Sequence, residues 1–569
     1  MLRAESLRIE YFRNPIGLGT RRPRFSWRLS SDLGNTLQAG YRLQASTDDR
    51  FAEPLHWDSG MTASDQSVHV RCAGPALDEC TRYFVRVQVR DNHGRTSDWS
   101  EVAFFETGIL ETARWKAEFI AAERPRETAA GDGAAGVAGD GWASPGAVLF
   151  RKAFAAGGAV ASARVYATSL GVYELSLNGV RVGDAFLTPG WTNYHKRLQV
   201  QAYDVTDLLR EGENVVGAHV ASGWYLSELA GWKKRKIQYG GRLAALVQLE
   251  ICYTDGRLET IGTDGSWTCH ASPVTLSEIY HGETYDARLE QPGWDTPGFG
   301  AAGAAGAAGA AGGAGAAGAA GAASGWRPVE IVDYPKTNLV AQENEPVRAH
   351  ETLKPVALFR TPAGETVLDM GQNMVGVMAV TASGKAGDRV VLKHFEVLDA
   401  QGNVYLENLR AARQTLTYTL RGHGTERYHA RFTFMGFRYV QVCEFPEEPR
   451  LEDFEGIVLH SAMEPTGHFE CSDPMVNQLQ HNILWGLKGN FVDVPTDCPQ
   501  RDERLGWTGD AQVFIREASF LMQSGPFYTK WLRDLRSEQL PGGGIPHVIP
   551  DVLQEERHSS SGWGDAAAV

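Results

Sequence analysis

The sequence predicts a multidomain chain in which successive all-β sandwich and jelly-roll domains lead into the start of a helical barrel. Three observations predict it. Apolar residues alternate with polar ones at period two through most of the chain, the signature of half-buried strands. After Ser461 the pattern changes, and Met475, Leu479, Ile483 and Leu487 recur at helical spacing. The length of 569 residues allows roughly three to five separate cores.

Residues 1–108 read as a small fibronectin type III or immunoglobulin-like sandwich. Tyr83, Val85, Val87 and Val89 alternate with Phe84, Arg86, Gln88 and Arg90, and Asp91 to Gly94 supplies the turn. Tyr41, Leu43 and Ala45 repeat the pattern, and Trp27, Trp57 and Trp99 are candidates to fill the core. A Gly/Ala-rich connector over 124–146 follows. Residues 147–332 read as a jelly-roll, carbohydrate-binding-like domain, with Asn178-Gly179 as a strong hairpin turn. Trp191, Tyr194, Trp224, Tyr225 and Trp232 are either stacking faces for a sugar or core residues at strand spacing. The low-complexity run at 300–325 mixes Ala with frequent Gly and is expected to be a floppy insertion. Just before it, His281, Glu283, Asp286 and Arg288 form either a surface turn with local ion pairs or a loop reaching into a neighbouring active site.

Residues 345–457 read as a third β unit, a sandwich linker in which His394, Glu396 and Arg438 are strand-face residues. The glycines of GQNMVG lack the spacing and the following helix of a nucleotide loop. From 460 to 569 two helix-like stretches flank NFVDVPTDCPQRDERLGWTGD, residues 490–510. Here Asp493, Asp497, Asp502, Glu503 and Asp510 crowd around Arg501, Arg504 and Trp507. Asp497, Glu503 and Asp510 do not share a helical face, and Pro495 and Pro499 keep the entry irregular. The residue types leave two readings open: a solvated loop neutralised by Arg501 and Arg504, or carboxylates placed for acid/base work on a polar ring.

The formal net charge of −14 argues against a nucleic-acid or anionic-membrane partner, which would need a basic surface. Seven scattered cysteines without a CxxC pair predict reduced thiols rather than disulfides or a zinc ribbon. The N-terminus carries no apolar run of signal-peptide length and no segment could span a bilayer, so a cytoplasmic location is expected. Nothing in the sequence requires a cofactor or a metal, and no EF-hand-like calcium loop occurs.

VPTDCPQRDERLGWTGDAQVF closely resembles the signature of bacterial α-L-rhamnosidases. RNPIGLGTRRPRFSWRL, GETYDAR, DMGQNMVG, YLENLRAARQT, FTFMGFRYV and the final GWGDAAAV occur in the family's order, so the resemblance covers nearly the whole chain. It implies an inverting, six-hairpin (α/α)6 glycosidase that removes terminal α-L-rhamnose from rhamnoglycosides. Carried over by motif position, Glu503 is the general acid. Asp497 and Asp510 would hold the rhamnose hydroxyls, Arg501 and Asp502 would add contacts, Trp507 and Trp563 would wall the sugar, and Asp565 would add a polar contact. Such an acid must carry its proton near neutral pH, which neighbouring anions favour and guanidiniums oppose. The resemblance places the general base later in the barrel, beyond residue 569. Roughly a hundred residues are too few for twelve barrel helices of ~10–14 residues, so a truncated and inactive fragment is the expectation. A different inverting glycosidase on the same barrel, or a sugar-binding protein using the jelly roll alone, are the alternatives.

Overall fold

The computed structural model describes residues 2–123, 146–233, 239–299, 325–554 and 560–569. Nearly all of the expected connector at 124–146 and of the insertion at 300–325 lies outside the described residues. The chain is mostly β, with three α-helices among the described residues, and it divides into two compact units.

The first unit is built from Met1–Lys116 with Val200–Asp204 and Leu339–Glu343. A three-stranded sheet of Arg3–Ile9, Arg24–Ser30 and Val70–Arg71 accompanies a four-stranded one led by Gln38–Ser46 and Arg82–Asp91. The alternation at 83–89 is realised: Tyr83, Val85, Val87 and Val89 are fully buried while their neighbours are part-exposed. Trp27 is in this core and Trp57 packs against it. Trp99 does something else: it lies under the guanidiniums of Arg86, 4.4 Å away, and Arg42, 5.7 Å away. An indole flanked by two cations is held at the edge of the sandwich rather than in its apolar centre.

The second unit holds two large sheets and the helices. One sheet runs in the order Val180–Val182, Val172–Leu177, Gly212–Ala221, Val148–Ala156, Thr268–Ala271, Arg327–Val332, Phe119–Ala122, Ala244–Tyr253, Val160–Leu170. Asn178 and Gly179, at φ 54° and 81°, form the expected hairpin turn. The Asn178 side chain also ties the turn to Leu208, Asn214 and Val215. The aromatic candidates of this region are core: Trp191, Tyr194 and Trp224 are at most 1% exposed, and of the five only Trp232 reaches the surface, at 37%.

The other sheet has eleven strands, centred on the long Thr366–Ser383. It recruits Ala185–Phe186 and the hairpin Val274–Glu278/Gly282–Asp286 from the preceding region, with Gly282–Asp286 running parallel to Thr415–Thr419. Glu283 is therefore buried, accepting from Tyr428 Oη at 2.5 Å and from the amides of Arg431 and Phe432. Burial pushes its pKa up to about 7. His394 is likewise a buried strand residue, its pKa lowered to about 4 by desolvation, and Arg438 pairs with Asp369 at 2.9 Å.

Helix α1, Pro474–Asn490, starts where Asp473 accepts from the Met475 amide at 2.8 Å and Pro474 occupies the first turn. Of its apolar stripe, Leu487 is buried while Met475 and Leu479 are 81% and 57% exposed. A two-stranded turn, Phe491–Val492 with Val494–Pro495, leads into the acidic loop. Helices α2, Thr508–Leu521, and α3, Gly525–Glu538, follow. The face of α3 carrying Phe527, Trp531 and Leu535 is buried. All seven cysteines are free thiols.

Candidate active site

The acidic loop is not one cluster. Asp493, at its entry, turns away from the rest in a left-handed conformation with φ 68°. Its carboxylate accepts from the Trp191 amide at 2.5 Å, Asn344 Nδ2 at 2.9 Å and Lys530 Nζ at 3.0 Å. Gly190 is required here, because a Cβ on it would lie 2.5 Å from the Asp493 carboxylate. Lys530 and Asp534 are fully buried, and Arg197 closes the network on Asp534 at 2.7 Å. Asp493 is thus an anchor that fixes the loop's entry to α3 and to residues 190–199.

Arg504 also departs from its expected part. It is 1% exposed and donates to the carbonyls of Ile279 and Phe434, both at 2.8 Å, and to Gln500, Arg501 and the Gln414 amide oxygen. Among the described residues it makes no ion pair with a carboxylate; burial lowers its pKa to about 10. An arginine saturated by carbonyls is a peg for irregular backbone. Its own backbone, at φ 51°, turns the loop sharply.

The remaining residues do converge. Asp497 and Leu505 exchange main-chain and side-chain bonds, at 3.1 Å and 3.0 Å, that close the loop upon itself. Arg501 bridges Asp497, at 3.2 Å, and Glu503, at 2.9 Å. Glu503, 9% exposed, receives the Trp507 indole N–H on Oε1 at 3.1 Å. Arg410, from the eleven-stranded sheet's connecting loop, donates to its Oε2. Desolvation, reinforced by the charge of Glu503, raises Asp497 to about 6. Asp510 stands exposed in the first turn of α2, where partial desolvation and Glu503 also raise its pKa.

Asp502 is buried and faces Gly231 and Arg410 rather than Asp497. Trp563 lies against the start of α2, where a Cβ on Gly509 would meet its indole nitrogen at 2.8 Å. Asp565 is exposed and accepts from the Gly562 amide at 3.2 Å. Between α1 and α2 a cleft of about 280 Å³ is lined by Ile483, Phe491, Phe514, Asp497 and Asp510. Its volume is at the lower end for small-ligand pockets and its lining mixes apolar walls with two carboxylates. Glu503 is joined to this cleft through Arg501 and Asp497.

Three contributors come from distant sequence. Tyr280 donates its hydroxyl to the Glu503 carbonyl at 2.6 Å. Glu396, treated above as a strand-face residue, has its pKa raised by desolvation while Asn373, Gln500 and Arg501 pull it down. Arg410 lay within a motif of the resemblance but had no role attached. Asp497, Cys498 and Glu503 also bring possible metal-ligand atoms within 4.8 Å of one another. Arg501 and Arg410 already occupy those carboxylates, and burial pushes the Cys498 thiol's pKa far up, so a cation would compete poorly there.

The chain is β-rich, and the loop between α1 and α2 sets carboxylates beside the Trp507 indole. Four family models match it in order: the Rha78A-like N-terminal immunoglobulin domain over 4–111, the α-L-rhamnosidase N-terminal domain over 158–351, the bacterial α-L-rhamnosidase concanavalin-like domain over 359–460, and the bacterial α-L-rhamnosidase six-hairpin glycosidase domain over 464–569. The α-L-rhamnosidase of Streptomyces avermitilis is 34% identical, over all of this chain and 68% of that protein. One from Formosa agariphila is 36% identical, over 98% of this chain and 58% of that protein. The solved Streptomyces avermitilis α-L-rhamnosidase complexed with L-rhamnose superposes with a TM-score of 0.90, covering 100% of this chain and 68% of that one. The Aspergillus terreus α-L-rhamnosidase superposes at 0.88, with 36% identity, covering 100% and 61%. The chain belongs to the bacterial α-L-rhamnosidase family. It spans 58–68% of the length of the curated relatives named here.

Proposed function

We propose that this chain carries the general acid of an inverting α-L-rhamnosidase site, which cleaves terminal α-L-rhamnosyl groups from glycosides. The observation that carries the reading is Glu503, held by the Trp507 indole N–H between Arg501 and Arg410 in the segment matched by the six-hairpin glycosidase model. Glu503 donates its proton to the leaving glycosidic oxygen. Asp497 and Asp510, both at the cleft, accept from rhamnose hydroxyls. Arg501 orients Asp497 and Glu503 together, and Asp502 acts from behind the pocket. Trp507 and the 38% exposed Trp563 offer apolar faces to the ring, with Asp565 as a polar contact at the rim.

Helices α1, α2 and α3 are, in this reading, the first of an (α/α)6 barrel. Inversion further requires a carboxylate about 6.5–9.5 Å from the acid to activate water on the opposite face. The bound rhamnose reported for the Streptomyces avermitilis relative supports rhamnose as the recognised sugar. A sugar site on the buried aromatics of residues 191–225 has no support, since those rings are not accessible.

The experiment is a panel of aryl glycosides offered to the natural gene product, with the released sugar followed by proton NMR. Selective cleavage of the α-L-rhamnoside, with the opposite anomer formed first, is the expected result. Equal or better cleavage of another glycoside would move the assignment to a different glycosidase.

A further inference from the structure

We propose that Arg410 is the positioning residue for the general acid Glu503, with Asp502 holding its guanidinium in reach; the proposal rests on the role just given to Glu503. Arg410 donates through Nη2 to Glu503 Oε2, and its Nε lies 3.6 Å from Asp502 Oδ1. That Asp502 oxygen is buried and, among the described residues, accepts no hydrogen bond. A buried carboxylate oxygen without a hydrogen bond is costly unless a charge faces it, and the Arg410 guanidinium lies within ion-pair distance of it. The Trp232 ring, 5.8 Å from the guanidinium carbon, flanks the other side.

The backbone supports the same reading. Arg410 follows a short 3-10 turn, Glu407–Leu409, anchored by buried Leu409, and adopts φ 54° and ψ −116°. A residue with a Cβ is strained at such a positive φ, and strain of this kind persists where the surrounding structure holds it. Here that conformation aims a long side chain from one domain at a carboxylate in another.

The two oxygens of Glu503 are consequently unequal. Oε2 takes two guanidiniums, Arg410 and Arg501, while Oε1 takes a single neutral indole N–H. An oxygen facing two cations is a poor place for a proton, so the proton is carried on Oε1. In the reaction it passes from Oε1 to the glycosidic oxygen as the anomeric C–O bond breaks with its electron pair on that oxygen. In the same displacement water bonds to the opposite face of the anomeric carbon and gives up a proton to a carboxylate acting as general base. Arg410 thereby sets which oxygen donates and where it points.

The test compares Arg410→Ala, Arg410→Lys and Glu503→Gln in the natural gene product. The substrates are an alkyl α-L-rhamnoside, whose leaving oxygen needs a proton, and 4-nitrophenyl α-L-rhamnoside, whose leaving group barely does. Arg410→Ala is expected to lose about 10- to 100-fold in kcat on the alkyl substrate and less than about threefold on the nitrophenyl one. KM should be little changed and Arg410→Lys should recover most of the loss. Equal losses on both substrates, or none, would overturn the proposal. If Glu503→Gln shows the leaving-group split and Arg410→Ala does not, only the Arg410 role fails. Absence of the split in Glu503→Gln removes the acid assignment and this proposal with it. Arg410 is 40% exposed in its side chain, and melting curves of the Lys variant separate misfolding from mispositioning.

Discussion

Tyr280 donates its hydroxyl to the main-chain carbonyl of Glu503 at 2.6 Å, across 223 residues of sequence. The same hydroxyl oxygen accepts from the Ala230 amide at 3.2 Å, and the ring is fully buried. One side chain thus fixes the backbone of the candidate acid and the segment leading to Trp232. Tyr280→Phe leaves a buried N–H and a buried C=O without this partner, a loss of about 1–3 kcal/mol. A lowered urea midpoint with an unchanged slope is expected; an unchanged midpoint would show that the bond contributes nothing.

Trp507 offers Glu503 an N–H as well as a ring face. Trp507→Phe retains most of the apolar surface and removes the donor. Turnover of an aryl α-L-rhamnoside by the natural gene product is expected to fall about 10-fold, corresponding to about 1.4 kcal/mol, with KM less affected. A rise in KM alone would make the indole a sugar wall and nothing more.

Asp497 gives a pH signature. Its pKa is raised from 3.8 to about 6, so the folded state binds a proton there more readily than the unfolded chain does. The resulting destabilisation is absent below pH about 4, grows as pH rises, and is complete above pH about 6. Asp497→Asn, which cannot ionise, should therefore gain stability relative to the parent across that window, by on the order of 1–3 kcal/mol. Urea midpoints of the two proteins at pH 4, 5, 6 and 7 measure it. A difference that stays flat with pH would contradict the assignment.

Lys530 sits between Asp493 and Asp534 with all three side chains buried. Lys530→Met removes the cation shared by the two buried carboxylates and leaves Arg197 on Asp534. The expected cost is about 3–5 kcal/mol, seen as a large drop in melting temperature. If Asp493 is an anchor rather than a reacting group, Asp493→Asn should retain rhamnoside hydrolysis at reduced stability.

Sequence reading went furthest where chemistry is local. Glu503, Arg501, Trp507 and Asp497 lie within one loop, and their mutual bonds span two to four residues, so a contiguous motif could disclose them. The strands at 83–89 and the Asn178-Gly179 turn were legible for the same reason. What stayed hidden depends on tertiary contact. A charged residue's type does not name its partner: Arg504 meets carbonyls, and Asp493 meets a lysine and an amide from far along the chain. Arg410 and Tyr280 reach Glu503 over 93 and 223 residues, separations at which no periodicity links positions. The aromatics of residues 191–225 show the converse, since strand spacing alone does not tell a stacking face from a core.

The central claim is that Glu503 protonates the departing oxygen of an α-L-rhamnoside. The most direct measurement is the kcat of Glu503→Gln against the parent, in the natural gene product, on an alkyl α-L-rhamnoside. The claim predicts a fall on the order of 10²–10⁴ with the fold intact by circular dichroism. A folded Glu503→Gln protein that turns over the alkyl substrate at the parent rate would contradict it.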